Sequence, residues 1–262
     1  MNVKTTILDY KSSFDSYYNS FKGLDRNQLR NFSIKKDHSY RVATLMETLA
    51  SRIGSDEDLL PLIAATGLFH DIGRFPQFVK YNTFNDAIST DHAALSVEIF
   101  EKEGMGGGLE PDDLEAVKSA ILYHNKPEVP KNLPQRVRIL ANLLRDADKL
   151  DILEVLSDYY ESKGKEANHT LTWELPDSYK ISEEIAKAIQ HKETVPKAAV
   201  KNRLDIKVFQ MSWAYDLNFK PSFRILSDKR YIERIYQTLP KSEIIIEFYR
   251  KLKIFIDNEI NR

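Results

Sequence analysis

The chain has 262 residues and a formal net charge of -1, and 29% of its residues are charged. This length can bury a substantial core without disulfides, and the balanced charge gives no electrostatic footprint for nucleic acid polymers or membranes. Cysteine is absent, which excludes disulfides and thiolate metal sites. The N-terminus lacks the apolar run of a secretory signal, and no segment approaches membrane-spanning length. We therefore expect a cytoplasmic protein that acts on a small ligand.

Apolar residues repeat at helical spacing in the first third of the chain. They recur every three or four residues over 39–53, which predicts a helix that is capped by Asp37 and ended by Gly54. A second helix is predicted over 56–71. Its Gly67 would allow the close approach of a neighbouring helix or metal ligand.

Helical patterns continue beyond this point. Pro76 is expected to end any helical continuation, and residues 77–90 are expected to form a polar loop. A glycine-rich turn at 104–108 separates the next helices. We predict these helices over 91–103, 112–124 and 134–162.

The composition changes near Gly164. The stretch 163–179 is polar, and it is interpreted as a turn or short hairpin around Leu171-Thr172-Trp173. Further helices are predicted over 180–191, 196–217, 229–238 and 241–260. Because strand signals are sparse, we predict an all-α fold with a helical core over 1–162 and a helical extension over 163–262 that packs on it.

Histidines and acids form a series along the predicted core. It contains four of the six histidines of the chain, the His-Asp pair at 70–71, and one acid of the run 146–151. Their nitrogen and oxygen atoms suit divalent Mn, Fe, Co, Ni and Zn. Neighbouring residues on a helix point about 100° apart, so an adjacent His and Asp can serve one centre only at a helix end or where helices converge. The series is His38, His70, Asp71, His92, His124 and Asp148.

The predicted helices support this interpretation, since His70-Asp71 and His124 lie at helix ends. His38 and His92 are each expected to open a helix. Asp148 lies inside a long helix whose opposite face is apolar. Helix ends and one interior acid could therefore surround a common metal site.

The order His38, His70-Asp71, Asp148 resembles the signature of the HD-domain superfamily of metal-dependent phosphohydrolases. Three local contexts agree with the resemblance: His38-Ser39-Tyr40-Arg41-Val42, Phe69-His70-Asp71-Ile72-Gly73 and Ala147-Asp148-Lys149-Leu150. It covers roughly residues 30–160. It implies an HD-type helical bundle with additional C-terminal helices, and the four signature residues would hold one metal ion.

Two further histidines, His92 and His124, are similar in position to those of binuclear branches of the superfamily. These branches include HD-GYP phosphodiesterases and hydrolases of diadenosine tetraphosphate. In such sites the Asp of the pair, here Asp71, bridges two metals. The resemblance thus implies one or two divalent transition metal ions per chain. Asn125-Lys126-Pro127 replaces the Gly-Tyr-Pro element, which puts cyclic-di-nucleotide cleavage in doubt.

Each residue also has a plain structural interpretation. His92 could be a capping or solvent-facing residue at a helix start. Asp146 and Asp151 are alternatives to Asp148, and Asp151 shares its helical face. Two histidines outside the series are expected to play no part: His169 and His191.

The resemblance implies hydrolysis of a phosphate ester or phosphoanhydride, in a nucleotide or related small molecule, by a metal-activated water. Asp71, Arg74 and Lys149 are the predicted catalytic residues. Arg74 follows the His-Asp pair by one turn, and its guanidinium could bind a phosphate in bidentate fashion. Lys149 is likewise expected to bind a phosphate. The pair Lys35-Lys36 could attract an anion, but such a pair is more often a solvated helix entry.

Two other functions remain open. HD-fold enzymes that resemble myo-inositol oxygenase use two irons with the same ligand order, and dependence on oxygen would identify that chemistry. A non-catalytic nucleotide-sensing module would bind its ligand tightly without turnover. A full set of metal ligands argues against the sensor, because a binding module does not need one.

Overall fold

The computed structural model describes residues 3–162, 173, 175–191 and 194–262, with the side chains of 3–5 left out. The described residues form helices and irregular segments and contain no strand, which confirms the all-α prediction. None of the described helices is long and apolar enough to cross a membrane. The predicted turn around 171–173 lies largely outside the described residues. The α-helices are α1 Val3–Ser20, α2 Arg26–Arg52, α3 Leu60–Phe69, α4 Arg74–Tyr81, α5 His92–Lys102, α6 Pro111–Tyr123, α7 Gln135–Glu161, α8 Glu183–Ala188, α9 Arg203–Ser212, α10 Lys220–Asp228, α11 Tyr231–Gln237 and α12 Glu243–Asn261.

The chain divides into two compact units, Met1–Asp148 and Lys149–Arg262, and the division falls within α7. In the first unit, α3 contacts α1, α2 and α6. Every residue of α3 from Leu62 to Phe69 is buried, as expected for a helix surrounded by others. The C-terminal end of α3, where the His-Asp pair stands, is therefore inside the first unit. The division of the chain near residue 162 stays a prediction.

Helix α2 begins at Arg26, much earlier than predicted. Asp25 caps it, because its carboxylate accepts a hydrogen bond from the Gln28 amide (2.8 Å) and its own amide donates to Gln28 Oε1 (3.0 Å). The predicted cap at Asp37 is wrong, and His38 lies inside the helix instead of opening it. The apolar repeat used for the prediction starts only at residue 39, so it does not reveal the polar first turns of α2. The predicted end is confirmed, since Gly54 has a φ of +70° directly after the helix.

Pro76 does not end the helical structure, which corrects the prediction. It is the third residue of α4, which runs from Arg74 to Tyr81. A proline in the first turn costs no hydrogen bond, because the amides there have no intrahelical partner. Only the remainder of 77–90 is a loop, with a short 3-10 helix at Asp86–Ile88. The unpredicted helix α10 also carries a proline in its first turn.

Gly67 lies where α3 meets α2. A Cβ added there would stand 2.5 Å from the Cα of Ala43, a backbone atom that cannot move aside cheaply. We expect Gly67→Ala to lower the free energy of unfolding by ~1–3 kcal/mol, as overpacking does. Chemical denaturation measures this change. The control is Gly107→Ala, whose Cβ would meet only a carbonyl oxygen at 3.6 Å. Equal stability of the Gly67 variant and its parent would contradict the close approach.

Candidate metal centre

The His-Asp pair stands at the end of α3. His70 is the C-terminal cap residue, Asp71 follows it, and both side chains are buried. His70 Nδ1 lies 2.8 Å from the Gly67 carbonyl oxygen. A proton on Nδ1 satisfies this hydrogen bond and leaves Nε2 free to bind a metal. The placement of the pair at a helix end agrees with the sequence prediction.

The first group of candidate ligands contains His38, His70 and Asp71, whose ligand atoms all lie within 4.8 Å of one another. The two Nε2 atoms are 3.3 Å apart, and Asp71 Oδ2 is 3.6 Å from His38 and 3.7 Å from His70. Asp148 Oδ1 is 3.1 Å from His38 Nε2 and 3.9 Å from His70 Nε2. Helices α2, α3 and α7 therefore bring all four signature residues together.

The second group contains Asp71, His92 and His124, again with ligand atoms within 4.8 Å of one another. The two Nε2 atoms are 3.0 Å apart, and Asp71 Oδ1 lies 3.4 Å from His92 and 3.9 Å from His124. His92 opens α5, as predicted, and His124 is the C-terminal cap of α6. Asp71 therefore belongs to both groups and presents one carboxylate oxygen to each.

The ring nitrogens of the second group are oriented by their outer hydrogen bonds. His92 Nδ1 is 2.6 Å from Asp86 Oδ2, and His124 Nδ1 is 2.6 Å from the Ile121 carbonyl oxygen. Both Nε2 atoms consequently face the centre. Burial, followed by the charge of Arg74, lowers the pKa of His92 to about 4. Burial, followed by the charge of His70, lowers the pKa of His124 to about 4. Both rings are therefore neutral near pH 7, the form that binds metals.

The acids of the centre are ionised. Burial opposes ionisation of Asp71, but Lys35, His70 and Arg74 outweigh it and hold the pKa of Asp71 well below its usual range. Burial is likewise outweighed at Asp148, where the hydrogen bond and charge of His38 lower the pKa. Neutral imidazoles and ionised carboxylates that converge in this way fit divalent metal binding. The donor set does not distinguish Mn, Fe, Co, Ni and Zn.

Lys35 is a member of the site that the sequence interpretation missed. Its Nζ is 2.7 Å from Asp71 Oδ2 and its side chain is only 16% exposed, so it is not a solvated helix entry. Lys36 differs, since it pairs with Asp15. Lys35 precedes His38 by three residues on α2, and this spacing places both on one face. A correct start for α2 would have revealed it.

Arg74 lies beside the centre, with Nε 3.4 Å from Asp71 Oδ1. Its Nη1 is held by three acceptors, namely the Phe84 carbonyl oxygen (2.6 Å), Gln77 Oε1 (2.9 Å) and Asp86 Oδ1 (2.9 Å). The guanidinium thus joins Asp71 to the loop that follows α4. Its predicted role in binding phosphate stays a prediction.

The remaining predicted residues are placed as follows. Lys149 Nζ pairs with Asp216 Oδ2 at 2.8 Å, and both residues belong to the second unit. His191 is exposed, and His169 lies outside the described residues. The two alternatives to Asp148 are both buried on α7: Asp146 and Asp151.

Asp86 supports His92 from the loop after α4. It accepts the His92 Nδ1 hydrogen bond and also receives one from Gln77 Nε2 at 2.9 Å. We expect Asp86→Ala to weaken metal binding by the second group about 10–100-fold, the usual effect of removing such a partner. Calorimetric Mn²⁺ titration measures the change, with exposed Asp58→Ala as the control. Unchanged affinity in the Asp86 variant would contradict this role.

Comparison with known families agrees with this geometry. Residues 36–153 match the family model of the HD domain, a segment that contains all five residues of the two groups and Asp148. Comparison with curated proteins and with solved structures found no match. The superfamily includes many metal-dependent phosphohydrolases. The motif order, the helical fold and the clustered histidines and aspartates agree with this match, so residues 36–153 resemble an HD domain with a cluster compatible with metal binding.

Proposed function

We propose that the centre hydrolyses a phosphate ester or phosphoanhydride bond in a small molecule, with a nucleotide or a related compound as the substrate. One observation carries this proposal. Two groups of candidate metal ligands share Asp71, and two cations, Lys35 and Arg74, lie within 3.4 Å of its carboxylate. Metal ligands beside cationic side chains suit an anionic substrate such as a phosphate. The cytoplasmic location stays a prediction.

We propose a binuclear centre, in which six residues would hold two divalent ions. A bound divalent metal supplies a water of lowered pKa and neutralises charge on phosphoryl oxygens. Asp71 would serve both ions, because its two oxygens face different histidine pairs. The six residues are His38, His70, Asp71, His92, His124 and Asp148.

Lys35 is our choice for the cation that binds a phosphoryl oxygen. Among the described residues, the contacts of its Nζ are the hydrogen bond to Asp71 and an approach of 5.4 Å to the centre of the Phe84 ring. An ammonium group has three donor hydrogens, so Lys35 keeps donors for a substrate. Arg74 Nη1 already has three acceptors. Lys35 would therefore orient the phosphate, while Arg74 holds the loop.

Lys35→Met should lower kcat/KM for the best phosphate substrate by about a hundredfold, as expected when one charge-assisted contact to the transition state is lost. Steady-state kinetics measures the loss. The matched control is Lys36→Met, the adjacent lysine that pairs with Asp15 instead of the centre. Equal kinetics in the two variants would contradict the role of Lys35. Metal content should stay at the parental value in both.

Turnover of a substrate panel tests the proposed function. The panel contains phosphomonoesters, cyclic nucleotides and dinucleoside polyphosphates, assayed with Mn²⁺ for phosphate or nucleoside release by the parent and by Asp71→Ala. Release by the parent alone supports a metal phosphohydrolase and identifies its substrate class. No turnover by a metal-loaded parent would contradict the proposal. Oxygen consumption by the iron-loaded protein would then favour an oxygenase, and tight ligand binding alone would favour a sensor.

A further inference from the structure

Arg145 is a buried cation of the first unit that the proposed chemistry does not use. It lies on α7, three residues before Asp148, and is only 4% exposed. Its Nη1 and Nη2 donate hydrogen bonds to main-chain carbonyl oxygens at the end of α6 and in the turn that follows. The acceptors are Tyr123 (3.4 Å), His124 (3.3 Å), Lys126 and Pro127 (3.1 Å).

These hydrogen bonds satisfy carbonyl oxygens at the C-terminal end of α6 and in the turn after it. The last carbonyls of a helix have no intrahelical partner, and the partial negative charge at that end favours a cation. A buried arginine is rare and costly unless its hydrogen-bonding groups are satisfied. Arg145 meets this requirement through the turn that begins at His124. The guanidinium therefore fixes the backbone from which His124 enters the centre.

The same turn also reaches His92. Asn125 Nδ2 donates to Asp91 Oδ1 at 2.8 Å, and Lys126 Nζ pairs with Asp91 Oδ2. Asp91 is the N-terminal cap of α5, where it accepts a hydrogen bond from the Ala93 amide at 3.1 Å. His92 is the first residue of that helix. One turn, held by Arg145, thus connects the backbones that carry both histidines of the second group.

We propose that Arg145 is a positioning residue for the second group, and this inference rests on the proposed binuclear centre. Its guanidinium donates hydrogen bonds to main-chain carbonyl oxygens at the end of α6 and in the turn that follows His124. The two histidines of the first group are carried by other segments, His38 by α2 and His70 by the end of α3. Loss of Arg145 therefore weakens binding of the second metal ion and leaves binding of the first nearly unchanged.

Mn²⁺ titration calorimetry and elemental analysis test this inference without an activity assay. The parent should hold two ions per chain. Arg145→Met should hold one, with the affinity of the first ion within about twofold of the parent, since a selective loss of one ion is not expected from general destabilisation. Arg145→Lys should restore part of the second affinity, because lysine keeps the charge but not the two-nitrogen fork. Arg138→Met is the control, an exposed arginine on the same helix.

The outcomes separate the inference from the proposed function. A parent with a single ion overturns the binuclear centre and this inference together. A parent with two ions and an Arg145→Met variant that keeps both, or loses both equally, overturns the inference alone. Circular dichroism establishes that each variant is folded. If both Arg145 variants fail to fold, the test uses Asn125→Ala, which removes the hydrogen bond to Asp91. Selective loss of the second ion in this variant supports the inference, and retention of both ions overturns it.

Discussion

Asp71→Ala is expected to lose bound metal and the proposed phosphohydrolase activity together. Asp71 is the residue common to both groups, and it presents Oδ2 to His38 and His70 and Oδ1 to the second group. Metal ions contribute several kcal/mol of transition-state stabilisation. Since each 1.4 kcal/mol is a tenfold change in rate, kcat/KM should fall by about a thousandfold or more. Elemental analysis after gel filtration and kinetics on the same sample measure both losses.

The removal of a buried carboxylate leaves Lys35 without its ion-pair partner, so Asp71→Ala needs a folding control. Circular dichroism supplies this control, and Asp71→Asn, which keeps the size and shape of the side chain but not its charge, separates the loss of charge from the loss of packing. Exposed Asp58→Ala controls for the loss of any aspartate. An Asp71 variant that retains full metal content and parental turnover would refute the assignment of this residue.

His92→Ala is expected to leave about one metal ion where the parent holds two. His92 Nε2 lies 3.0 Å from His124 Nε2 and 3.4 Å from Asp71 Oδ1, whereas the first group includes no atom of His92. The second group would keep only His124 and a shared carboxylate, too few ligands for a stable site. The measurement is metal content per chain at saturating Mn²⁺, with exposed His191→Ala as the control.

Two results would argue against this account of His92. Retention of both ions would mean that His92 is not a ligand. Loss of both ions would mean that the two groups form one indivisible centre, because the first group could not then bind an ion alone.

The structure brings together the histidines and aspartates that their order in the sequence singled out. Some of them could be placed from the sequence because they stand at helix ends, which can be recognised from local signals. His70 and His124 are each the cap residue of the predicted helix. His38 lies close to His70 and Asp71, but it does so from inside α2 and not from the start of a helix, where it was expected.

The supporting residues were harder to predict, because their roles depend on contacts between distant segments. Predicting the role of Lys35 required the true start of α2. The first turns of this helix are polar, so the apolar repeat does not reveal them. Asp86 lies in a loop without periodicity and acts on a histidine six residues away. Arg145 occurs in a leucine-rich helix, and its acceptors are backbone carbonyls, which leave no signal in the sequence. Arg74 lies beside Asp71, one turn after the His-Asp pair, but its hydrogen bonds to the loop after α4 were not foreseen.

Anomalous diffraction from crystals of the parent soaked in Mn²⁺ tests the central claim most directly. We predict two anomalous peaks, each within metal-ligand distance of an oxygen of Asp71. One peak should lie beside the Nε2 atoms of His38 and His70, and the other beside those of His92 and His124. The absence of both peaks at saturating Mn²⁺, or peaks located away from these residues, would contradict the account.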